Sequence, residues 1–440
     1  MIKVTYAEAV DYLYTQMPLF QNVGAGAYKE GLENTLAIDR HHGSPHKLFS
    51  TIHVAGTNGK GSTSHTLAAI LQASGLKVGL YTSPHILDFR ERIRVNGALV
   101  SQDFVINFIK ENQAFLEPLH PSFFEVTTAM AFSWFALQKV DVAVIETGLG
   151  GRLDCTNIIT PVLSIITNIG LDHTKFLGNT LPEIAFEKAG IIKKNTPVII
   201  GEDTPETRKV FSLKAAQMNA PILFAQDDCK IISQEYISPE RIIYETIALP
   251  DLESSLSGLC QSKNANTILH AVDVLRNKGF VLTDSDIRQG FAQVCRLTGL
   301  MGRWQRLSTH PDIICDTGHN SHGLQYIARH LENLASAPGS GELRIVIGMV
   351  NDKDIQTVLE LMPRNAIYYF TQASVERALD STSLRQQAIA AGLDGRTFST
   401  VAQAVDQVRN EASANDIIFV GGSTFIVADL LSMPEFRPTL

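Results

Sequence analysis

The sequence predicts an α/β fold in two parts: an N-terminal P-loop domain on a mostly parallel sheet, and a smaller C-terminal Rossmann-like α/β domain. Three observations predict it. A β-branched run at 51–54 enters a glycine-rich turn at 56–61, and an apolar helix follows to a stop at Gly75. Short continuous apolar runs then alternate with helical stretches along the chain, the pattern of strands covered on both faces. The alternation breaks at Thr298-Gly-Leu-Met-Gly302 and restarts, giving domains at 1–297 and 304–440 joined by a linker at 298–303.

At 440 residues the chain exceeds one ordinary core. Its 45% hydrophobic and 19% charged residues are those of a soluble globular enzyme. No window nears the ~18 uninterrupted apolar residues of a membrane span, and the first residues lack a signal pattern. The expectation is a cytoplasmic protein with no membrane partner. A net charge of −8 argues against a nucleic-acid surface. Five scattered cysteines without a Cys-x-x-Cys pair read as reduced thiols, neither disulfides nor a zinc site.

Helices are expected at 6–14 and 32–41, with a polar, glycine-containing stretch between them. In Gly56-Thr57-Asn58-Gly59-Lys60-Gly61-Ser62, glycines let backbone N–H groups converge on a phosphate chain, and the helix N-terminus adds partial positive charge. Lys60 supplies full charge, and Ser62 or Thr63 a hydroxyl for the nucleotide or its magnesium. The common P-loop form would need glycine at Val54 and Ser or Thr at Gly61, so the common P-loop NTPases match poorly.

A strand at 77–81 leads into Thr82-Ser83-Pro84-His85, presenting Ser83 where open α/β sheets bind ligands. Residues 88–96 alternate charge and apolar character and end in the hairpin signal Asn96-Gly97. Arg90, Arg92 and Arg94 read equally as a solvated face or a binding face. Helices at 102–116 and 124–137 precede a strand at 141–145 that ends at Glu146 beside a glycine-rich loop. A carboxylate there is costly unless paired, protonated or metal-bound, and a metal-directed role is favoured. Gly148 and Gly150 lack the third glycine and the helix of a dinucleotide fingerprint. A strand at 162–167 delivers Asn168-Ile-Gly-Leu-Asp-His173, followed by a helix at 181–188. Ser83, Glu146 and His173 thus come from three strand ends. Such a set suits magnesium, or manganese, held jointly with ATP phosphates.

The alternation continues with strands at 197–200 and 222–224, a helix at 205–218, strands and turns over 230–259, and helices at 264–277 and 284–294. The second domain has strands at 312–316, 344–347, 366–370 and 416–420 among helices at 323–334, 354–361, 383–391 and 401–411. A Ser, Gly and Pro-rich loop at 335–341 reads as mobile surface. Asp316-Thr-Gly-His-Asn and Gly421-Gly-Ser-Thr end its first and last strands and are expected to face the first domain across a cleft.

Seven motifs in order carry a resemblance: the phosphate loop, Thr-Ser-Pro-His, Glu-Thr-Gly-Leu-Gly-Gly-Arg-Leu-Asp, Asn-Ile-Gly-Leu-Asp-His, Glu-Lys-Ala-Gly-Ile-Ile-Lys, Gly-Arg-Trp and Asp-Thr-Gly-His-Asn. The sequence resembles the folylpolyglutamate synthase and dihydrofolate synthase family of the Mur ligase superfamily. The resemblance implies that Ser83, Glu146 and His173 hold two magnesium ions, and that Lys188 is carbamylated. Carbamylation needs a neutral amine, so Lys188 must titrate well below the ordinary ~10.4; without the family it reads as an ordinary helix-end lysine. Thr57, Asn58, Gly59, Lys60, Gly61 and Ser62 would hold ATP with Asn264, Arg303 and Asp316. His319 and Ser423 match glutamate-side positions, while Thr82, Phe123, Phe124, Glu125, Leu153, Asp154 and Cys155 match pterin-side walls. Cys155 and Gly318 stand where relatives commonly carry alanine.

The implied reaction is amide ligation, in which ATP activates a carboxylate as an acyl phosphate and the amino group of glutamate displaces phosphate. Magnesium and Lys60 would neutralise the charge developing in phosphoryl transfer. The bifunctional form, using dihydropteroate and tetrahydrofolates, is preferred over a folylpolyglutamate synthase alone, and a monomer is expected. A peptidoglycan-precursor ligase lacks support for want of a nucleotide-sugar domain before Gly56. A P-loop switch protein does not explain a second domain carrying Asp316 and His319, and a dehydrogenase lacks its fingerprint.

Overall fold

The β-branched run before the phosphate loop forms β1, Ser50–Ala55, whose last five residues are buried. In the computed structural model, which describes residues 5–17, 31–238, 240–351 and 355–438, β1 sits inside an eight-stranded sheet. The other members are β2 (Val78–Tyr81), β3 (Ile93–Val95), β4 (Ala98–Leu99), β5 (Val142–Glu146), β6 (Leu163–Ile166), β7 (Val198–Ile200) and β8 (Ile222–Phe224), in the order β4-β3-β2-β5-β1-β6-β7-β8. From β2 to β8 every pairing is parallel, and β3 and β4 add an antiparallel edge. Asn96 and Gly97 both take positive φ, 47° and 78°, as the hairpin between β3 and β4 demands. Apart from Ser50 and β8 the parallel strands are buried throughout, because helices cover both faces.

Helix Lys60–Ala73 runs from the phosphate loop, and its residues from Gly61 to Leu71 are all buried. Gly290, on helix Asp284–Ala292, lets that helix close against Ile70, since a Cβ there would strike the Ile70 backbone. Helices Gln102–Leu116 and Phe123–Gln138 contribute Phe108, Phe132 and Phe135 to an aromatic-rich core with Leu13, Ile38 and Tyr81. The expected stretch between the first two helices, Tyr6–Gln16 and Glu33–His41, lies largely outside the described residues.

A three-stranded sheet follows, built from β9 (Ile231–Ser238), β10 (Arg241–Thr246) and β11 (Leu252–Ser254). The chain divides into two compact units, one of residues 1–234, 244–254 and 262–299, the other of 235–243, 255–261 and 300–440.

The C-terminal unit is a second doubly wound sheet of β12 (Gln305–Thr309), β13 (Asp312–Asp316), β14 (Leu343–Ile347), β15 (Ile367–Phe370), β16 (Gly395–Thr397) and β17 (Ile417–Gly421), in the order β12-β13-β17-β14-β15-β16. All pairings are parallel except β12 with β13. Neither β12 nor β16 was expected: both are short, mixed in polarity and incompletely buried, so neither shows the apolar run that marks the interior strands. Residue 354, the expected start of the next helix, lies outside the described residues, and Ile355–Leu361 is helical.

Candidate active site

Four neighbouring parallel strands, β2, β5, β1 and β6, deliver Ser83, Glu146, the phosphate loop and the 167–173 segment to one edge of the N-terminal sheet. The loop turns at Gly56 (φ 147°) and Gly59 (φ 80°), the N-cap of the helix that begins at Lys60. Gly59 also takes positive φ because nothing larger fits, and a Cβ there would fall onto the Asn264 amide. Thr57 N–H donates to Asn168 O at 3.0 Å and Asn58 N–H to Asn168 Oδ1 at 2.9 Å. Thr167 Oγ1 donates to Asn58 O at 2.5 Å. Asn168 is braced in turn by Glu202, which pairs with Lys263 beside Asn264.

Two ammonium groups share one carbonyl. Lys60 Nζ donates to Gly56 O at 3.0 Å and to Thr57 O at 3.2 Å, and Lys188 Nζ donates to the same Gly56 O at 2.9 Å. Lys188 ends helix Leu181–Lys188 and is 4% exposed. Burial, and then the charge of Lys60, push its pKa down to about 7. The helix is locked to the glycine-rich loop after β5: Arg152 N–H donates to Glu187 O at 2.7 Å, and Gly190 leaves room for the Arg152 backbone.

Glu146 is 3% exposed at the end of β5, and Ser83 N–H donates to its Oε2 at 3.3 Å. These two expected metal ligands are therefore brought together. His173 lies half-buried beyond β6 with φ 51°, its N–H on Asp172 Oδ1 at 2.9 Å. Among the described residues no group of three or more His, Cys, Asp and Glu converges as a metal site. The donors present are hard oxygens with one imidazole, too few to enclose a cation but fitted to one completed by phosphate and water.

The expected acceptor wall is heterogeneous. Phe124 is half-buried, packs on Tyr81 at 5.7 Å between ring centroids, and lies so close over Gly148 that a Cβ there would enter its ring. Leu153 and Cys155 are half-buried and Thr82 is 8% exposed. Phe123 is 1% exposed, stacks on Tyr14 and meets Phe89 edge-to-face. Glu125 forms a capping box with Ser122, accepting from its N–H at 2.7 Å and its hydroxyl at 3.0 Å. Asp154 turns both oxygens onto its own loop, to Leu149 N–H at 2.8 Å and to Thr156 N–H at 3.0 Å. Burial raises its pKa against those bonds. The sequence signal for the cap is Ser122-Phe-Phe-Glu125, a Ser-x-x-Glu box ahead of an apolar run. Arg92 and Arg94 are 3% and 5% exposed, which removes the solvated-face reading for both.

In the C-terminal unit, β13 and β17 are adjacent and parallel, with Asp316 opposite Gly421. Asp316 accepts from Trp304 N–H and Gly318 N–H, both at 2.7 Å, and Arg303 bonds to Thr317 Oγ1. Burial raises the Asp316 pKa while Arg303 and the two N–H groups oppose it. His319 Nδ1 lies 2.9 Å from Thr317 O. Asn320 caps helix Ser321–Ala335 and Ser423 caps helix Thr424–Ser432, so two helix N-termini open from neighbouring strand ends. Paired N-termini suit a small anionic ligand. Thr317, absent from the expected set, ties Arg303 to Gly302, since its Oγ1 also meets Gly302 O at 3.1 Å.

A phosphate loop on a central parallel strand, a buried carboxylate one strand away and a second doubly wound unit define a class, the Mur ligases: residues 54–240 match the Mur ligase middle domain and 302–424 the Mur ligase glutamate ligase domain. The dihydrofolate synthase/folylpolyglutamate synthase of Bacillus subtilis is 31% identical over 420 residues, covering 91% of this chain and 94% of the relative. The structure of Escherichia coli FolC in complex with DHPP and ADP superposes with a TM-score of 0.84 at 30% identity, covering 99% of both chains. A bifunctional folylpolyglutamate synthase/dihydrofolate synthase with Mn, AMPPNP and L-glutamate bound gives a TM-score of 0.80 at 29% identity over 98% of both chains. The chain belongs to the dihydrofolate synthase/folylpolyglutamate synthase family. Among the described residues no helix is long and apolar enough to cross a membrane.

Proposed function

We propose that this protein is an ATP-dependent ligase that joins L-glutamate to dihydropteroate and to tetrahydrofolates, releasing ADP and phosphate. The observation that carries the reading is the gathering of the phosphate loop, the Ser83–Glu146 pair and the buried Lys188 at one sheet edge. The ligands named for the FolC structures, DHPP with ADP, and Mn with AMPPNP and L-glutamate, are those such a reaction needs.

In this reading Thr57 to Ser62 cradle the phosphates of ATP, with Asn264, Arg303 and Asp316 holding the rest of the nucleotide. Lys60 neutralises charge as the γ-phosphoryl group moves to the acceptor carboxylate. Ser83, Glu146 and His173 hold magnesium, two ions, with the phosphates. When bound, the magnesium ions supply charge neutralisation and alignment of the phosphoryl group. Lys188, with a pKa lowered to about 7, would add carbon dioxide through its neutral amine and release one proton to solvent, becoming a carbamate anion beside Lys60. Phe124, Leu153 and Cys155, with Thr82, Phe123, Glu125 and Asp154 behind them, shape the pterin side. His319 and Ser423 hold the incoming glutamate, whose amine attacks the acyl phosphate. The protein acts as a cytoplasmic monomer with an ATP-binding domain at 1–297 and a glutamate ligase domain at 304–440.

Phosphate release from ATP, magnesium and glutamate, with dihydropteroate and tetrahydrofolate compared as acceptors, tests the reading. Turnover with both is expected. Tetrahydrofolate alone would leave a folylpolyglutamate synthase, and release with neither would end the folate assignment. A carbamate signal from Lys188 after incubation with labelled carbon dioxide is expected, and its absence at saturating magnesium would remove that modification.

A further inference from the structure

Arg92 is a buried cation to which no carboxylate is bonded among the described residues. It is 3% exposed, and among the described residues its hydrogen bond is from Nε to His85 Nδ1, at 2.7 Å. Because that nitrogen accepts, the imidazole proton sits on Nε2 and faces Tyr14 Oη at 3.0 Å. Tyr14 stacks on Phe123 with centroids 5.6 Å apart, and the Arg92 guanidinium carbon lies 5.1 Å from the Phe123 centroid. Arginine, imidazole, phenol and phenyl ring thus close a circuit. It fixes one nitrogen and one face of the guanidinium and leaves the fork of two terminal nitrogens without a protein acceptor among the described residues.

The adjacent carboxylates are committed elsewhere. Glu91 accepts the N–H groups of Ile86, Leu87 and Asp88 at 2.7–2.8 Å, and Asp88 pairs with Arg90 at 2.8 Å. Burial lowers the Arg92 pKa, and Glu91 and Glu146 oppose this only through space, with no ion pair to either among the described residues. Its place is at the edge already described: Thr82 N–H donates to Arg92 O at 3.1 Å, one residue before Ser83. Only β2 separates β3 from β5, which ends at Glu146. Two strand spacings are about 10 Å, and Glu146 lies near enough to act on the Arg92 charge.

We infer that Arg92 binds a carboxylate of the acid substrate through its two terminal nitrogens. A planar fork suits the two oxygens of that group. The inference rests on the reading that the acceptor is a pteroate or folate. Two carboxylates share this chemistry: the reacting one, present in both acceptors, and the α-carboxylate, present only in glutamylated folates.

The test is a binding titration of the full chain with magnesium and a non-hydrolysable ATP analogue. Dihydropteroate is compared with its primary amide, and tetrahydrofolate with its α-amide. The unmodified protein should bind the acid at least tenfold more tightly than the amide in one pair, and which pair does so identifies the carboxylate held. Arg92→Gln should bind acid and amide alike, and Arg92→Lys, with charge but no fork, should fall between. The affinity of Arg92→Gln for the ATP analogue should stay within twofold. Equal binding of acid and amide by the unmodified protein in both pairs overturns the inference, whether or not the variants fold. So does discrimination retained by Arg92→Gln. An unmodified protein that binds the ATP analogue but no acceptor instead overturns the acceptor reading, and this inference with it.

Discussion

Two deeply placed cations, one in each unit, are held under opposite conditions. Arg344 on β14 is ringed by acceptors: Nε donates to Asp416 at 2.8 Å, one terminal nitrogen to Tyr369 Oη at 3.0 Å and the other to Glu342 at 2.6 Å. Burial works against its charge, but the bonds to Asp416 and Tyr369 outweigh it and raise its pKa. Lys188 meets a neutral carbonyl shared with a second ammonium group, and its pKa falls to about 7. The contrast teaches where to look for chemistry. A cation with its carboxylates is explained by the stability of the fold, whereas one without them is explained by what it binds or becomes.

The sharpest test uses the third cation, Lys60. Lys60→Ala should lower kcat/KM by about 1000-fold, on the order of 4 kcal/mol of transition-state stabilisation, with thermal stability little changed. Steady-state phosphate release and a melting curve decide it; near-normal turnover would put Lys60 with the structural cations. Arg344→Met, which strands Asp416, should cost about 3 kcal/mol in denaturant unfolding. A cost under about 1 kcal/mol would erase the contrast from the other side.

Lys188→Met should reverse the sign. It should cut turnover by about 100-fold, roughly 2.7 kcal/mol, yet stabilise the fold by about 1–2 kcal/mol, because an unpaired buried ammonium is removed. The pH dependence follows from the depressed pKa. Between about 7 in the folded state and about 10.4 when unfolded, the unfolded chain binds more protons. Stability therefore rises with pH across that window, and below about 7 the full penalty is present. Urea unfolding of wild type and Lys188→Met at several pH values should show this slope in the first and its loss in the second. The smallest effect concerns an anion. Glu125→Gln preserves the capping box and should cost less than about 1 kcal/mol, with acceptor KM within about twofold. A tenfold rise would return Glu125 to direct substrate contact.

The architecture was largely legible because its strands are continuous apolar runs and its helices carry clear caps. Gln102–Leu116, Leu181–Lys188, Pro205–Met218, Asp312–Asp316 and Val401–Glu411 fall where the pattern put them. Loop placement was legible where a polar residue follows an apolar strand, as at Lys60 and Glu146. It was not legible where burial is decided by distant residues. Arg92 alternates with apolar neighbours like any solvated arginine, and only Phe123, His85 and Tyr14, brought together by the fold, make it an interior residue. Glu125 and Asp154 enter as pterin-side walls through the resemblance alone, and only the fold shows Glu125 Oε2 held by Ser122 and both Asp154 oxygens held by backbone N–H groups.

The phosphate loop looks in the primary structure like a portable cassette of seven residues, 56–62. Its shape is nevertheless written elsewhere. Thr167 and Asn168 hold it from one neighbouring strand end, and Asn264 closes over Gly59 from a helix some 200 residues downstream. An engineer who grafted only the cassette onto a foreign strand would move the key without the lock. A faithful transplant has to carry three separated pieces of chain.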